Sequence, residues 1–168
     1  VRPYVQGQNI DYKSEIKLLT NDKAGKAGRA KWFVANRNVI TQNVKYIDEF
    51  QVVVSSANAG GQKRDNQIEI VDNHSAFGRA RVALRSFKTY EEAHNFYMYA
   101  TTYLIRYAFL MTDEALTSLG LLVPDIENYR ADNPVLDFSK NLDEQLFKII
   151  NLDDDEIKYI KNVINTLR

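Results

Sequence analysis

The sequence predicts an α+β fold: a strand-and-loop half over residues 1–88 packed on a helical half over residues 89–168 that contains one long helix. Three observations predict it. Apolar residues occur in short β-branched runs before residue 88 and at helical spacing after residue 89. Six of the seven glycines lie in the first half, where polar stretches separate the runs. The charge also changes sign: residues 1–90 carry 15 Lys+Arg against 8 Asp+Glu, and residues 91–168 carry 7 against 14. The formal net charge of zero is therefore the cancellation of two opposite halves.

In chain order, Ile16–Leu19 is a short apolar strand candidate, followed by a Gly- and Lys-rich loop over 21–29, and Lys31–Val34 is a second strand candidate. Phe50–Ser55 (FQVVVS) is the clearest strand, because β-branched residues favour a pleated, half-buried surface. It runs into a loop over 57–66 marked by Gly60 and Gly61. Ile68–Val71 and Arg79–Phe87 are two further strands; the second alternates imperfectly, with Ala80, Val82 and Leu84 set against Arg79, Arg81 and Arg85. Asp72-Asn73-His74 reads as a polar turn between strands.

Beyond residue 88 the period lengthens. Ala93, Phe96, Tyr97, Ala100, Tyr103, Leu104, Tyr107, Leu110 and Met111 share helical spacing, with Thr89 as N-cap and Glu91 and Glu92 in the first turn. They predict one helix of about 20 residues. Thr112–Leu121 predicts a shorter helix ending near Gly120, and Val123–Phe138, with Pro124 and Pro134, an extended connector. Leu142–Ile150 predicts a short helix. Asp153 with Glu156 forms a capping-box start for a last helix whose face carries Ile157, Ile160, Val163, Ile164 and Leu167. The run of carboxylates at 153–156 complements the helix dipole.

Composition narrows the function classes. With 45% hydrophobic and 26% charged residues the chain has the make-up of a globular domain, and 168 residues suit a single domain with its own core. No apolar run reaches the length of a membrane span; the best candidate, Tyr97–Met111, is broken by Arg106. No signal sequence is visible, and zero cysteines excludes disulfides, thiolate-bound metals and a thiol nucleophile. These features fit a cytoplasmic protein. The chain begins at Val1, which reads as a processed product or a fragment of a larger protein.

Catalytic signatures are sparse. His74 and His94 are the two histidines, and neither stands in a ligand-like spacing. Neither a dinucleotide-binding glycine motif nor a phosphate-binding P-loop is present. Asn133-Pro134-Val135-Leu136 lacks the second proline and the aromatic of an adenine methyltransferase motif. Asp125 after Pro124, with Glu156 and Lys158, spells a metal-dependent nuclease pattern. That chemistry needs Glu and Lys on one face of a strand, whereas residues 156 and 158 open a helix, where i and i+2 diverge. No metal site is expected from the sequence.

Binding signals are stronger. Lys23, Lys26, Arg29 and Lys31 fall within nine residues, with Arg37 beyond them. Lys63 and Arg64 share the second loop with Asn58, Gln62 and Asn66. Lys and Arg suit phosphates or guanine, and Asn and Gln suit adenine edges, so these ten residues form the expected DNA-binding set.

Several stretches resemble one family. The segment from Phe50 to Gly61 resembles the strand, Ser, Asn and Gly pattern of DNA target-recognition regions. Arg85–Tyr97, leading to Arg106 among aromatics, is similar to the strand-to-helix signature that follows. Val123-Pro124-Asp125, then 137–140, 143–147 and 152–160, keep the order of the C-terminal part of bacterial type II restriction–modification enzymes, which combine adenine methylation and DNA cleavage with a shared specificity region. The resemblance covers roughly residues 30–165. It implies a target-recognition domain whose strand–loop half faces double-stranded DNA and whose helices dock on the methyltransferase and nuclease portion of the parent chain. Asn58, Gly60 and Gly61 match the recognition-loop pattern; Phe87, Glu92, Phe96 and Arg106 match the strand-to-helix signature; Pro124, Asp137, Leu146 and Ile157 match scaffold positions. The expected function is sequence-specific DNA binding without catalysis by this segment, S-adenosylmethionine and Mg being cofactors of the parent. The alternatives are a small Mg-dependent nuclease using Asp125, Glu156 and Lys158, and a protein-interaction module built on the helical half.

Overall fold

The computed structural model describes residues 1–21, 30–55, 68–78, 81–111 and 124–167. The fold is α+β, with strands mostly in the first half and helices toward the second. Among the described residues the strands form two sheets. The first contains β1 (Arg2–Pro3), β2 (Glu15–Asn21), β3 (Ala30–Asn36) and β6 (Ser75–Phe77), in the order β1-β3-β2-β6. The second contains β4 (Phe50–Ser55), β5 (Ile68–Val71) and β7 (Arg81–Phe87), in the order β5-β4-β7. β2 runs antiparallel to β3 and parallel to β6, while β4 is antiparallel to both its neighbours.

The strand runs read from the sequence are present, and the polar turn at 72–74 joins β5 to β6, with His74 in the left-handed region at φ 64°. The imperfect alternation in β7 has a structural cause. Val52 pairs with Arg85 and Val53 with Ala83, so Leu84 is an extra residue in a β-bulge. Leu84 and Arg85 consequently both lie on the side of Val52, the side covered by helix.

That covering helix is α1 (Tyr90–Ala100), started by Thr89, whose Oγ1 accepts from the Glu92 N–H at 3.3 Å and donates to the Glu92 carboxylate at 2.8 Å. Ala93, Phe96 and Ala100 are fully buried against Val52, Val54 and Ile68. The single long helix expected from the spacing is instead two. α1 stops at Ala100 and α2 runs over Tyr103–Leu110. Two adjacent threonines make the break, because their hydroxyls compete for backbone groups. Thr101 Oγ1 donates to the Tyr97 carbonyl at 2.8 Å, and Thr102 turns extended (ψ 157°) to cap α2 through the Ile105 N–H. The apolar period survives the break, so periodicity alone does not reveal it. The expected Thr112–Leu121 helix lies outside the described residues.

α3 (Leu142–Ile150) and α4 (Asp154–Leu167) complete the fold. The capping box before α4 is formed: Asp153 Oδ1 accepts from the Glu156 N–H at 2.8 Å and Glu156 Oε1 from the Asp153 N–H at 3.0 Å. α3 and α4 pack beside α2, where Asp143 Oδ1 accepts from the Tyr103 N–H at 2.7 Å and Asn165 Oδ1 from the Tyr103 hydroxyl at 2.9 Å. The connector expected to be extended is, over residues 124–138, a series of bends and turns, and Tyr129 and Leu136 anchor it in the core with Phe96 and Phe87.

Candidate nucleic-acid interface

Strand directions bring the ends of six strands into one row. β2 ends beside the start of β3 at the Asn21–Ala30 pair. β6 runs parallel to β2, and the Gly78 N–H that follows it donates to the Leu19 carbonyl at 3.1 Å. The Arg81 N–H at the start of β7 donates to the Gly78 carbonyl at 3.2 Å. Arg81 pairs with Ser55 at the end of β4, and Val54 pairs with Ile68 at the start of β5.

Both basic segments of the sequence leave and return at this row. Residues 22–29 join β2 to β3, residues 56–67 join β4 to β5, and residues 79–80 fall between β6 and β7 in sequence. In sequence these three segments hold six cations, Lys23, Lys26, Arg29, Lys63, Arg64 and Arg79, against the carboxylates of Asp22 and Asp65. Eight of the ten expected DNA-binding residues (Lys23, Lys26, Arg29, Asn58, Gln62, Lys63, Arg64 and Asn66) belong to them and lie outside the described residues. Lys31 is described: it is exposed on β3 opposite Thr20, one residue from the row.

Arg37 departs from this group. β3 carries the chain away from the row, about 20 Å for its seven residues, and Arg37 begins the 3₁₀ turn at the far end. Its guanidinium is turned to internal partners, both oxygens of Asp48 (2.8 and 3.1 Å) and the Tyr12 carbonyl (2.8 Å). That hydrogen-bonded ion pair holds the Asp48 carboxyl below its ordinary range. His74 Nδ1 lies 2.7 Å from the same carboxylate, its ring stacked on Tyr12. Sequence proximity to Lys31 therefore grouped Arg37 with a surface on the opposite end of the sheet.

The far end of the first half carries charges of both signs. Asp11, Glu15, Asp48, Glu49 and Asp72 all sit at strand ends remote from the row. Of the cations there, Arg2 pairs with Glu15, Arg37 with Asp48 and Lys17 with Asp72, the last ammonium lying over the Tyr4 and Trp32 rings, while Lys13, Lys45 and Lys88 are exposed. On the sheet beside α1, Arg81 pairs with Glu69 at 3.0 Å and Arg85 pairs with Asp125.

Asp125 has a structural environment. Burial pushes its carboxyl up, but the Tyr129 hydroxyl (2.6 Å), the Glu127 N–H (2.9 Å) and the Arg85 guanidinium together hold it below the ordinary carboxylate range. Burial and that carboxylate raise the Tyr129 phenol, and burial with the Asp125 charge pushes Tyr99 up to about 12. Glu156 is engaged in its capping box at the start of α4, with Lys158 on the same helix. Among the described residues no group of three or more His, Cys, Asp or Glu side chains is placed to hold a metal ion.

The helical half presents a different surface. Leu104, Tyr107, Leu152, Tyr159 and Ile160 line a groove of about 480 Å³ between α2 and α4, rimmed by Asp155 and Glu156. Ile149, Ile150 and Tyr159 are more than half exposed beside it. Among the described residues no helix is long and apolar enough to cross a membrane. No family model, curated protein or solved structure matches the chain.

Proposed function

We propose that this chain is a sequence-specific binding domain for double-stranded DNA, acting as the target-recognition part of a restriction–modification enzyme and catalysing nothing alone. The observation that carries the reading is the common root of the basic segments. Two Lys/Arg-rich connections and the short connection holding Arg79 join strands along one row, with six cations against two carboxylates in sequence, while the opposite end carries a near balance of both signs. An excess of cations in the connections at one end suits a phosphate backbone. Asn58, Gln62 and Asn66 supply amides for base edges, and the cations anchor phosphates.

The helical face supports docking on the remainder of a parent chain, because its apolar groove and exposed Ile149, Ile150 and Tyr159 suit contact with a protein surface. The parent would supply S-adenosylmethionine and Mg chemistry. A cytoplasmic setting follows from that role.

The test is fluorescence anisotropy of labelled duplexes against salt. Binding that weakens steeply with NaCl, and a Lys63→Ala/Arg64→Ala variant with a salt slope shallower by about 1.8, are expected from two lost phosphate contacts at about 0.9 each. Affinity that stays flat across salt would overturn the reading.

A further inference from the structure

The outer strands β6 and β7 flank a cleft beside the row of strand ends. Its volume is about 710 Å³, and β6, β7 and the segment 40–47 wall it. Clefts of about 300–1,000 Å³ are the usual size for small-molecule sites. All six residues from 81 to 86 line it, so β7 presents its edge as well as a face. β7 is the outer strand of its sheet, and that edge carries backbone donors and acceptors outside the β4 ladder.

The lining is selective. Tyr46 and Phe77 contribute aromatic rings, and Ala83 and Gly78 leave room beside them. Gln51 is buried and oriented by its Nε2, which donates to the Tyr46 carbonyl at 3.1 Å. Ser75 is 0% exposed, and its Oγ has no hydrogen-bond partner among the described residues. Buried hydroxyls are normally satisfied, so an unpartnered one in a cleft wall marks a place for a ligand atom. The charged residues of the lining, Arg81 and Arg85, are neutralised by Glu69 and Asp125.

We propose that this cleft binds a neutral, planar heterocycle of the nucleobase class. Rings suit the flat faces, while the Ser75 hydroxyl, the Gln51 amide and the β7 backbone edge suit a rim of alternating donors and acceptors. Paired arginines leave no excess charge for a phosphate. Such a base could come from a free nucleoside or from a duplex bound at the adjoining row of strand ends; the second source rests on the DNA-binding reading.

The experiment titrates the full chain with each of four nucleosides, followed by amide NMR, and separately with a duplex carrying 2-aminopurine opposite an abasic position. Saturable shifts at Ser75, Phe77 and Gln51 are expected. Ser75→Ala weakens binding about five-fold, the worth of one neutral hydrogen bond. Ala83→Leu fills the space and abolishes binding, with circular dichroism checking that the fold is kept. Adding a 5′-phosphate does not tighten binding. A 2-aminopurine response assigns the duplex as source, and nucleoside shifts alone assign the free ligand. Duplex binding with a silent cleft in both arms overturns the inference and leaves the DNA-binding reading intact. Nucleoside binding with no duplex binding at any salt does the reverse.

Discussion

Arg85 and Asp125 form an ion pair that ties β7 to the connector after α2, with the guanidinium lying over the Phe87 and Tyr129 rings (5.2 and 5.6 Å). One contact thus joins the sheet, the connector and the core. The Tyr129 hydroxyl completes the carboxylate, and the Tyr99 hydroxyl donates to the Pro124 carbonyl at 2.6 Å.

Replacing Asp125 by Asn should destabilise the chain at neutral pH by about 1–3 kcal/mol, because a charge-assisted contact is lost. Since the folded carboxyl lies below its unfolded value of about 3.9, its contribution is whole above that value and disappears as pH falls through the folded value. Thermal melts of the parent should therefore lose stability on acidification below about pH 4, and the Asn variant should lose less there. Parallel acid limbs for the two proteins would contradict this account.

Phe96 is fully buried on α1 and touches Phe87 and Tyr129 (ring centroids 5.7 and 5.0 Å). Phe96→Ala should cost about 3–5 kcal/mol, read from the urea midpoint. A cost below about 1 kcal/mol would mean that this ring is not in a close-packed core.

Thr102 is buried at the start of α2, its hydroxyl donating to the Tyr99 carbonyl at 2.8 Å. Thr102→Ala should lower stability by about 1–2 kcal/mol, and Thr102→Ser should restore most of it. Equal melting temperatures for the Ala and Ser variants would show that the cap is not what holds the break.

Arg37→Ala separates structure from binding. It should lower the melting temperature, because Asp48 and the Tyr12 carbonyl lose their shared donor, and leave the salt slope of duplex binding unchanged. A slope reduced by about 0.9 would place Arg37 on the phosphate backbone instead.

Local signals were legible where they were strong and self-contained. Phe50–Ser55 and Ile68–Val71 are β-branched runs, and both are strands over those residues. Leu142–Ile150 and the Asp153–Glu156 box needed only their own residues to be recognised. β6 escaped because Ser-Ala-Phe has little strand propensity and its parallel partner, β2, is remote in sequence. The Thr101–Thr102 break escaped because the apolar residues keep their phase across it. For the candidate interface, composition indicated which residues are basic but not where they gather. Lys31 and Arg37 are near neighbours in sequence and occupy opposite ends of a strand. Ser75 gave no sequence signal, since its relevance comes from a wall assembled by two sheets.

The bulge at Leu84 makes the spacing of β7 a matter of phase as well as length. Deleting Leu84 would regularise the ladder and keep Arg85 opposite Val52 and Phe87 opposite Phe50, whereas deleting Ser86, beyond the bulge, would turn Phe87 to the other face and out of the core. A one-residue deletion should therefore do more damage at Ser86 than at Leu84. Evolutionary or engineered length changes are better tolerated in the connections at the row of strand ends, where an added residue re-phases nothing downstream.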